Sequence, residues 1–310
     1  MDPRILSSSE DDLRWAAETL RHGGLIGLPT ETVYGLAADA ANPEAAARLY
    51  AAKGRPHFNP LIAHVSSLDM AQREGVFGAE ALILAEQFWP GPLTLVVSLA
   101  PNGTICDLAR AGLDSVALRM PNHKLARAVI DAFGGPLVAP SANPSGKISP
   151  TSLAHVIADM GDKLDAVFDG GPCTAGLEST IIDARGDRPA LLRPGSLDPA
   201  EIEQLWPGLI RPALNPAAPQ SPGQLLRHYA PNARLRLNAE RPEAGEAYLG
   251  FGPGEATLNL SAAGDLKEAA ANLFAMLRAL DDAHDRIAVA PIPTDGLGEA
   301  INDRLTRAAK

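Results

Sequence analysis

The sequence predicts an α/β protein of two domains, the first a mixed α/β domain and the second an α/β domain with a small parallel sheet. A chain of 310 residues exceeds the usual size of one compact core, and 46% hydrophobic with 21% charged residues is typical of a globular protein. Short apolar runs alternate with longer helical patterns. A proline-rich stretch that begins near residue 207 separates two such series.

The first helix has clear signals at both ends. Ser8 or Ser9 can cap it, and the acidic run Glu10 to Asp12 favours the positive end of its dipole. Gly23-Gly24 can end it, and an apolar strand follows over residues 25–28.

The remaining elements of the first domain, which we place at residues 1–206, follow from the same patterns. Asn42 can cap a second helix, with Pro43 in its first turn. Helices are predicted over residues 43–52, 79–88, 124–133 and 151–160, and strands over residues 61–65, 93–99, 116–120, 137–139, 166–168, 180–183 and 190–192.

Residues 207–232 are predicted to be an interdomain linker. The segment from Pro207 to Pro231 is too rich in proline for a helix or a central strand. No acidic residue occurs between Glu203 and Glu240, whereas several basic ones do, which favours docking on an anionic surface.

A second domain is predicted over residues 233–310. Strands are expected at 235–237, 247–251, 257–260 and 287–290, and helices at 265–281 and 297–308. Alternating strands and helices of this kind predict a small Rossmann-like parallel α/β domain.

Charge and composition exclude several functional classes. The formal net charge of -10 does not indicate a nucleic-acid-binding protein. Cys106 and Cys173 lie far apart without a CxxC pattern, and the seven histidines show no HExxH spacing, so we expect no protein-built metal site. The N-terminus lacks the pattern of a signal peptide, and prolines interrupt the long uncharged stretch from Gln87 to Cys106, so a cytoplasmic location is expected.

Two short polar motifs carry the strongest indication of chemistry. Lys53-Gly54-Arg55 follows a predicted helix, and Ser141-Ala142-Asn143 follows a predicted strand, where α/β proteins gather ligands. Lys53 and Arg55 taken alone could simply cap the helix end. Together with Arg119 and Arg193 they suit a polyanionic ligand. A standard P-loop is absent, since Gly171 to Thr180 has no lysine.

These motifs resemble the YrdC/Sua5 family of threonylcarbamoyl-AMP synthases, whose hallmark is Lys-x-Arg followed by Ser-x-Asn. The resemblance extends over residues 29–35, 89–94 and 177–183, and over most of residues 25–195. Ser221-Pro222-Gly223 and the segment from Arg227 to Pro231 resemble the linker of the longer, Sua5-type members. Gln224-Leu225-Leu226 departs from the residues that are more common there.

The resemblance implies a YrdC-like mixed twisted sheet with helices, followed by the smaller domain. It also implies that L-threonine, bicarbonate or CO₂, and ATP give threonylcarbamoyl-AMP and pyrophosphate. This intermediate serves the N6-threonylcarbamoyladenosine modification at position 37 of tRNAs, through a downstream transferase. Mg²⁺ is expected to arrive with ATP.

Site residues carried over from the family fall into two groups. Lys53 and Arg55 are the expected catalytic residues. The expected ATP-binding residues are Lys53, Arg55, Asn59, Ser141, Asn143, Arg193 and Tyr229. The expected threonine-binding residues are Thr30, Thr32, Tyr34, His64, Arg119 and Ser179.

Some of these residues keep an ordinary structural interpretation. His64 lies in an apolar run, where a lone histidine is commonly a satisfied core residue, and Arg119 could close a strand with an ion pair. Tyr229 could be a plain linker residue, or it could cover the nucleotide if the linker folds back.

Three alternative functions remain open at this stage. Related domains form carbamoyl-adenylate from carbamoyl phosphate, but the additional motifs of those proteins are not evident here. A tRNA- or double-stranded-RNA-binding module would also need a basic concave surface, which the acidic total opposes. An inactive relative is the third alternative, and retention of Lys-x-Arg and Ser-x-Asn argues against it.

Overall fold

The computed structural model describes residues 3–186, 188–212 and 228–310. Its helices are α1 (Glu10–Arg21), α2 (Pro43–Lys53), α3 (Leu68–Glu74), α4 (Ala79–Phe88), α5 (Asp107–Arg110), α6 (Lys124–Phe133), α7 (Leu153–Met160), α8 (Pro199–Leu205), α9 (Leu266–Asp281) and α10 (Leu297–Ala308). The strands of the first sheet are β1 (Arg4–Leu6), β2 (Ile26–Leu28), β3 (Gly35–Asp39), β4 (Ile62–His64), β5 (Gly75–Val76), β6 (Leu93–Leu99), β7 (Ser115–Arg119), β8 (Leu137–Val138), β9 (Ala166–Phe168), β10 (Thr180–Asp183) and β11 (Ala190–Arg193). The strands of the second sheet are β12 (Arg234–Arg236), β13 (Ala247–Gly250), β14 (Leu258–Asn259) and β15 (Arg286–Val289).

The first sheet is mixed, as the sequence predicts. Its strand order is β1-β9-β2-β3-β8-β4-β7-β6-β10-β11, and β5 pairs with β6 at its edge. It contains parallel pairs such as β4 with β7 and antiparallel pairs such as β3 with β8. The β4/β7 register places His64 directly beside Arg119.

Local signals set the helix ends. Ser9 accepts a hydrogen bond from the Asp12 amide at the start of α1, and Asn42 accepts from Glu44 and Ala45 at the start of α2. Helix α2 ends where Gly54 adopts a left-handed conformation with φ of 59°. This turn reverses the chain directly after Lys53.

The second sheet is parallel throughout its described pairs, in the order β12-β15-β13-β14. The expectation of a small parallel α/β unit is therefore confirmed. Its helices α9 and α10 bury one apolar face each, with Leu273, Phe274 and Ile301 fully enclosed.

The two sheets have separate apolar cores, but the second core extends across the boundary. Val33, Ile148 and Leu177 of the first part of the chain pack in one cluster with residues of α9 and α10. The Arg278 guanidinium also lies 2.5 Å from the Asp159 carboxylate of α7. The interface between the two parts is thus both apolar and charged.

The predicted bounds of the longer helices agree with the structure, whereas several short elements were not predicted. Helices α4, α6 and α10 match their predicted bounds. The sequence analysis did not identify β1, β3, β5, α3, α5 and α8, each of which has seven residues or fewer. Elements this short carry too little periodicity to be recognised alone.

The predicted domain boundaries stay a prediction. The centre of the predicted linker, including Ser221-Pro222-Gly223, Gln224-Leu225-Leu226 and Arg227, lies outside the described residues. Within the described ranges, no helix is long and apolar enough to cross a membrane.

Candidate active site

A cavity opens where several strand ends of the first sheet meet the second part of the chain. Counted with its open mouth it holds about 600 Å³. Its lining consists of Val33, Lys53, Arg55, Ile62, His64, Arg119, Ala139, Pro140, Ser141, Asn143, Ser145, Glu178, Ser179, Arg193, His228 and Tyr229. The cavity thereby brings together most of the site residues that the sequence predicts, namely Lys53, Arg55, Ser141, Asn143, Arg193, Tyr229, His64, Arg119 and Ser179.

Lys53 is the last residue of α2, and its side chain does not cap its own helix. The Nζ atom donates to the carbonyl oxygens of Ser141 and Asn143, at 2.5 Å each. The side chain is buried, and burial lowers the pKa of Lys53 well below its ordinary value, with nearby Arg55 acting in the same direction. The lysine therefore ties the Ser-x-Asn loop to the helix end.

Arg55 follows the left-handed glycine and is held by the next loop. Its Nε atom donates to the Asn59 carbonyl at 3.1 Å, and Nη2 donates to the Pro60 carbonyl at 2.8 Å. Burial lowers the pKa of Arg55 to about 10, and the neighbouring Arg193 adds to this effect. Among the described residues, no carboxylate lies within ion-pair distance of Lys53 or Arg55.

Two amide side chains at the site have unused hydrogen-bonding capacity. Asn143 donates through Nδ2 to the Pro144 and Lys147 carbonyls, while its Oδ1 atom has no partner in the described part of the chain. Both polar atoms of the buried Asn59 side chain lack partners there as well, although Asn59 does not line the cavity. Buried amides usually find partners, so the Asn143 oxygen, which belongs to a residue of the cavity lining, is open to a ligand, whereas the ATP-binding role of Asn59 stays a prediction.

Arg193 is the last residue of β11, and its side chain forms hydrogen bonds with the turn that precedes β10. It donates to the Ser179 carbonyl through Nε at 3.2 Å and through Nη2 at 2.9 Å. The Ser179 hydroxyl lies 2.7 Å from the Thr94 hydroxyl. Burial lowers the pKa of Arg193. The neighbouring Thr180 hydroxyl instead donates to the Leu197 carbonyl and holds the turn.

His64 and Arg119 stand side by side at the ends of β4 and β7. Arg119 is 4% exposed, donates through Nε to the Gly91 carbonyl, and forms an ion pair of 2.8 Å with Glu31. Burial lowers the pKa of His64 to about 3, and Arg119 contributes to the shift. A neutral imidazole beside a guanidinium leaves this wall with one strong cation.

Thr30, Thr32 and Tyr34 do not line the cavity. The Thr30 hydroxyl donates to the Val33 carbonyl and lies 2.8 Å from the Thr32 hydroxyl. The Tyr34 hydroxyl donates to the Gly171 carbonyl and accepts from the Gly170 amide. Their contacts shape the turn that carries Val33 into the cavity wall, and their threonine-binding role stays a prediction.

Tyr229 lines the cavity from the other part of the chain. It adopts φ of 63°, a conformation that is rare outside glycine, and is 1% exposed. Its ring stacks on Phe274 at 5.5 Å between centroids, and the Arg304 guanidinium lies 5.1 Å from its centre. Burial raises the pKa of Tyr229.

Arg304 was overlooked by sequence reasoning. This side chain of α10 is fully buried and donates from Nε to the Glu178 carboxylate at 2.8 Å, and Ser149 donates to the other Glu178 oxygen. Burial alone would raise the pKa of Glu178, but Arg304 and Arg193 outweigh it and lower that pKa. No local pattern marks an arginine on an amphipathic helix as an interdomain contact.

Taken together, these features define an α/β protein with two sheets, whose cavity suits an anionic ligand. Cations line it, and the described residues contain no cluster of three or more His, Cys, Asp or Glu side chains that could hold a metal ion.

Comparison with known proteins is consistent with this class. A family model for Sua5/YciO/YrdC proteins, described as telomere recombination, matches residues 18–195. A second model, described as the threonylcarbamoyl-AMP synthase C-terminal domain, matches residues 197–310. Threonylcarbamoyl-AMP synthase of Bacillus subtilis is 37% identical and covers 98% of this chain and 94% of the relative. That of Pyrococcus abyssi is 40% identical over 96% of this chain and 94% of the relative.

Solved structures agree. The crystal structure of P. abyssi Sua5 complexed with L-threonine superposes with a TM-score of 0.90 at 37% identity, over 100% of this chain and 98% of that chain. The structure of Thermococcus kodakarensis HypF shares only the fold, with a TM-score of 0.53 at 18% identity over 60% of this chain and 24% of that chain. The chain belongs to the Sua5-type threonylcarbamoyl-AMP synthase family.

Proposed function

We propose that this chain condenses L-threonine, bicarbonate or CO₂, and ATP into threonylcarbamoyl-AMP, with release of pyrophosphate. The observation that carries the proposal is the cavity wall formed by Lys53, Arg55, Arg119 and Arg193. Every species that meets in this reaction, the carbamate, the threonine carboxylate and the triphosphate, is an anion. A catalyst for it must supply cations at fixed positions.

The cation geometry supports a division of the cavity into two sides. Lys53 and Arg55 donate to backbone carbonyl oxygens and have no carboxylate within ion-pair distance among the described residues, so both can interact with phosphate oxygens. We assign the triphosphate and the in-line attack of the carbamate oxygen to this pair, as the catalytic residues. Arg193 completes the phosphate contacts.

The remaining nucleotide contacts come from neutral groups. Ser141 and Asn143 offer a hydroxyl and an unpartnered carbonyl oxygen to the phosphates or the ribose. Asn59 contributes its unpartnered amide, and Tyr229 covers the nucleotide. Tyr229 would also keep water from the labile mixed anhydride.

Threonine is assigned to the wall formed by β4 and β7. Arg119 would take its carboxylate, while His64 and Ser179 line the space beside it. The threonine in the P. abyssi Sua5 crystal structure supports this substrate. Thr30, Thr32 and Tyr34 would act at the base of the same site through the turn that presents Val33.

Other participants follow from the chemistry. Mg²⁺ would enter with ATP and screen its phosphates, because no acidic cluster among the described residues provides a ligand set. The labile product would pass to a transferase that acts on tRNA, which places the reaction in the cytoplasm. No stable binding of nucleic acid by this chain itself is expected, since its net charge is -10.

A pyrophosphate-release assay tests the proposal. The wild-type chain is incubated with ATP, Mg²⁺ and bicarbonate, and pyrophosphate release is compared after addition of L-threonine, L-serine, carbamoyl phosphate or no further substrate. We expect release that depends on both threonine and bicarbonate. Release driven by carbamoyl phosphate and not by threonine would replace the proposal with carbamoyl-adenylate formation. No release together with salt-sensitive binding of tRNA in a filter assay would favour an RNA-binding module.

A further inference from the structure

Three glutamates are buried among the described residues, and two of them have hydrogen-bond donors. Glu74 accepts from the Thr104 amide at 2.6 Å, from the Thr104 hydroxyl and from the Ile105 amide. Glu178 accepts from Arg304 and Ser149. This is the usual condition, because a buried carboxylate without donors is costly.

Glu31 is the exception. It is 9% exposed, and neither of its carboxylate oxygens has a hydrogen-bond partner in the described part of the chain. Its Oε1 atom lies 2.8 Å from Nη2 of Arg119, but the two groups are not aligned for a hydrogen bond, since Nη2 also lacks a partner there. Glu31 is therefore close to a cation and still has its full accepting capacity.

The backbone that presents Glu31 is well fixed. The Thr30 hydroxyl accepts from the amides of Thr32 and Val33, and the Glu31 carbonyl accepts from the Ala175 amide at 2.8 Å. Val33, two residues further on, lines the cavity, as does Arg119. Glu31 is not itself one of the lining residues, but its carboxylate contacts Arg119 at the wall assigned to threonine.

The proposed substrates decide which donor fits. ATP, bicarbonate and pyrophosphate are anions, and threonine alone carries a cation. Its ammonium and carboxylate groups are bonded to the same carbon, so a site for the zwitterion needs an anion and a cation side by side. Glu31 and Arg119 are such a pair. An ammonium group brings three donors to a carboxylate that lacks any.

We infer that Glu31 receives the α-ammonium group of threonine while Arg119 takes the carboxylate, so that the ion pair of the free protein is exchanged for two ion pairs with the substrate. The inference rests on the proposed function and adds a residue that determines recognition of an α-amino acid. Glu31 acts here in substrate binding.

Calorimetric titration with two ligands tests the inference. L-Threonine carries both charges, whereas (R)-3-hydroxybutyrate keeps the carboxylate, hydroxyl and methyl groups and lacks the ammonium. Glu31→Gln should weaken threonine binding by about 10-fold to 100-fold, as expected for loss of a buried charge-assisted hydrogen bond. Binding of (R)-3-hydroxybutyrate should be unchanged or tighter, because Arg119 no longer has a competing anion.

Two further variants control for damage to the fold. Glu31→Asp keeps the charge but withdraws it by one methylene, and should bind threonine with intermediate affinity. Glu74→Gln removes a different buried carboxylate, whose donors are Thr104 and Ile105, and should leave the affinity ratio of the two ligands unchanged. Thermal unfolding of each variant reports whether it is folded at the titration temperature.

Each outcome has a definite meaning. Equal weakening of both ligands by Glu31→Gln would overturn the inference, because Glu31 would then only orient Arg119. Unchanged threonine affinity in that variant would also overturn the inference. The proposed function would still stand in that case if the wild type releases pyrophosphate in the presence of threonine. Failure of the wild type to bind threonine would overturn both, and the pyrophosphate assay would show the same failure independently.

Discussion

Buried and partly buried basic side chains occur in two settings in this molecule, and the settings differ in the groups that accept their hydrogen bonds. In the cavity, Lys53 and Arg55 donate to backbone carbonyl oxygens. At the contact between the two parts of the chain, Arg304 and Arg278 donate to the carboxylates of Glu178 and Asp159. A carbonyl positions a cation without cancelling its charge, whereas a carboxylate does both.

The pKa shifts follow the same division. Burial lowers the pKa of Lys53 and of Arg55, and the charge of Asp159 offsets only part of this effect at Lys53. Burial acts on Arg304 too, but Tyr229 and Glu178 outweigh it and raise the pKa of Arg304. Lys53 and Arg55 are thus basic groups without a paired carboxylate, whose protonated forms an anionic ligand would stabilise, whereas the basic groups at the interface are paired with carboxylates.

The largest effect is expected at the interface between the two parts of the chain. Arg304→Met should lower the free energy of unfolding by about 3 to 5 kcal/mol, because it leaves Glu178 buried without its cation. Urea unfolding of the full chain, followed by circular dichroism, measures the change. Adding Glu178→Met should recover part of the loss, since the double variant buries no unpaired charge. A double variant no more stable than Arg304→Met would contradict this account of the pair.

The second prediction concerns the cavity. Lys53→Met should lower kcat/KM by about 100-fold to 1000-fold, as removal of one fixed charge at a reacting anion does in other enzymes. Its stability should change little, because loss of the two hydrogen bonds to the Ser141 and Asn143 carbonyls is offset by removal of a desolvated amino group. Steady-state pyrophosphate release and urea unfolding check the two halves of the prediction. Lys267→Met, on the exposed face of α9, is the matched control and should change neither. Near-normal rates in Lys53→Met would remove this residue from the mechanism.

The third prediction is a dependence of stability on pH. Lys53 has a lowered pKa in the folded state, so between that pKa and the ordinary lysine pKa the unfolded chain binds more protons at this residue than the folded chain does. The free energy of unfolding should therefore rise as pH increases towards the ordinary lysine pKa of 10.5, by at most about 1.4 kcal/mol per pH unit. Urea unfolding between pH 7 and 9 measures the slope, which should be smaller in Lys53→Met. Equal slopes in the two proteins would show that Lys53 is charged in the free state.

The smallest effect is expected at Tyr229, where the two settings meet. Its ring lines the cavity and also lies against Arg304 and Phe274. Tyr229→Ala should shift the products several-fold towards free AMP and away from threonylcarbamoyl-AMP, because water can then reach the mixed anhydride. Chromatography of the quenched reaction measures the ratio. Tyr229→Phe keeps the ring and should behave like wild type; an unchanged ratio in Tyr229→Ala would remove the covering role.

Much of the fold could be predicted because its signals are local. The Asn42 cap, the proline after it and the glycine at position 54 set the bounds of α2, and helices α4, α6 and α10 followed from periodicity. The parallel second sheet followed from alternating elements. Strand β3 was overlooked because its sequence, Gly-Leu-Ala-Ala-Asp, has no alternation and is buried by its neighbours on both sides.

The candidate site divides in the same way. Sequence alone identified Lys53, Arg55, Ser141 and Asn143 as a set, because their residue types and order recur as a motif. It did not show that Lys53 holds the Ser-x-Asn loop through two carbonyls, or that Arg304 reaches Glu178 from a helix 126 residues away. Glu31 was visible within the motif from Pro29 to Gly35, but nothing in the pattern distinguished it.

The sequence by itself determined the secondary structure of the long elements, the α/β class and the family to which the chain belongs, because these depend on periodicity, caps and motif order. Only the tertiary structure decided which cations are neutralised, which carboxylate lacks a donor and which residues line the cavity. Those properties depend on distances between groups far apart in the chain and on their burial. Burial magnifies the energetic difference between a paired and an unpaired charge.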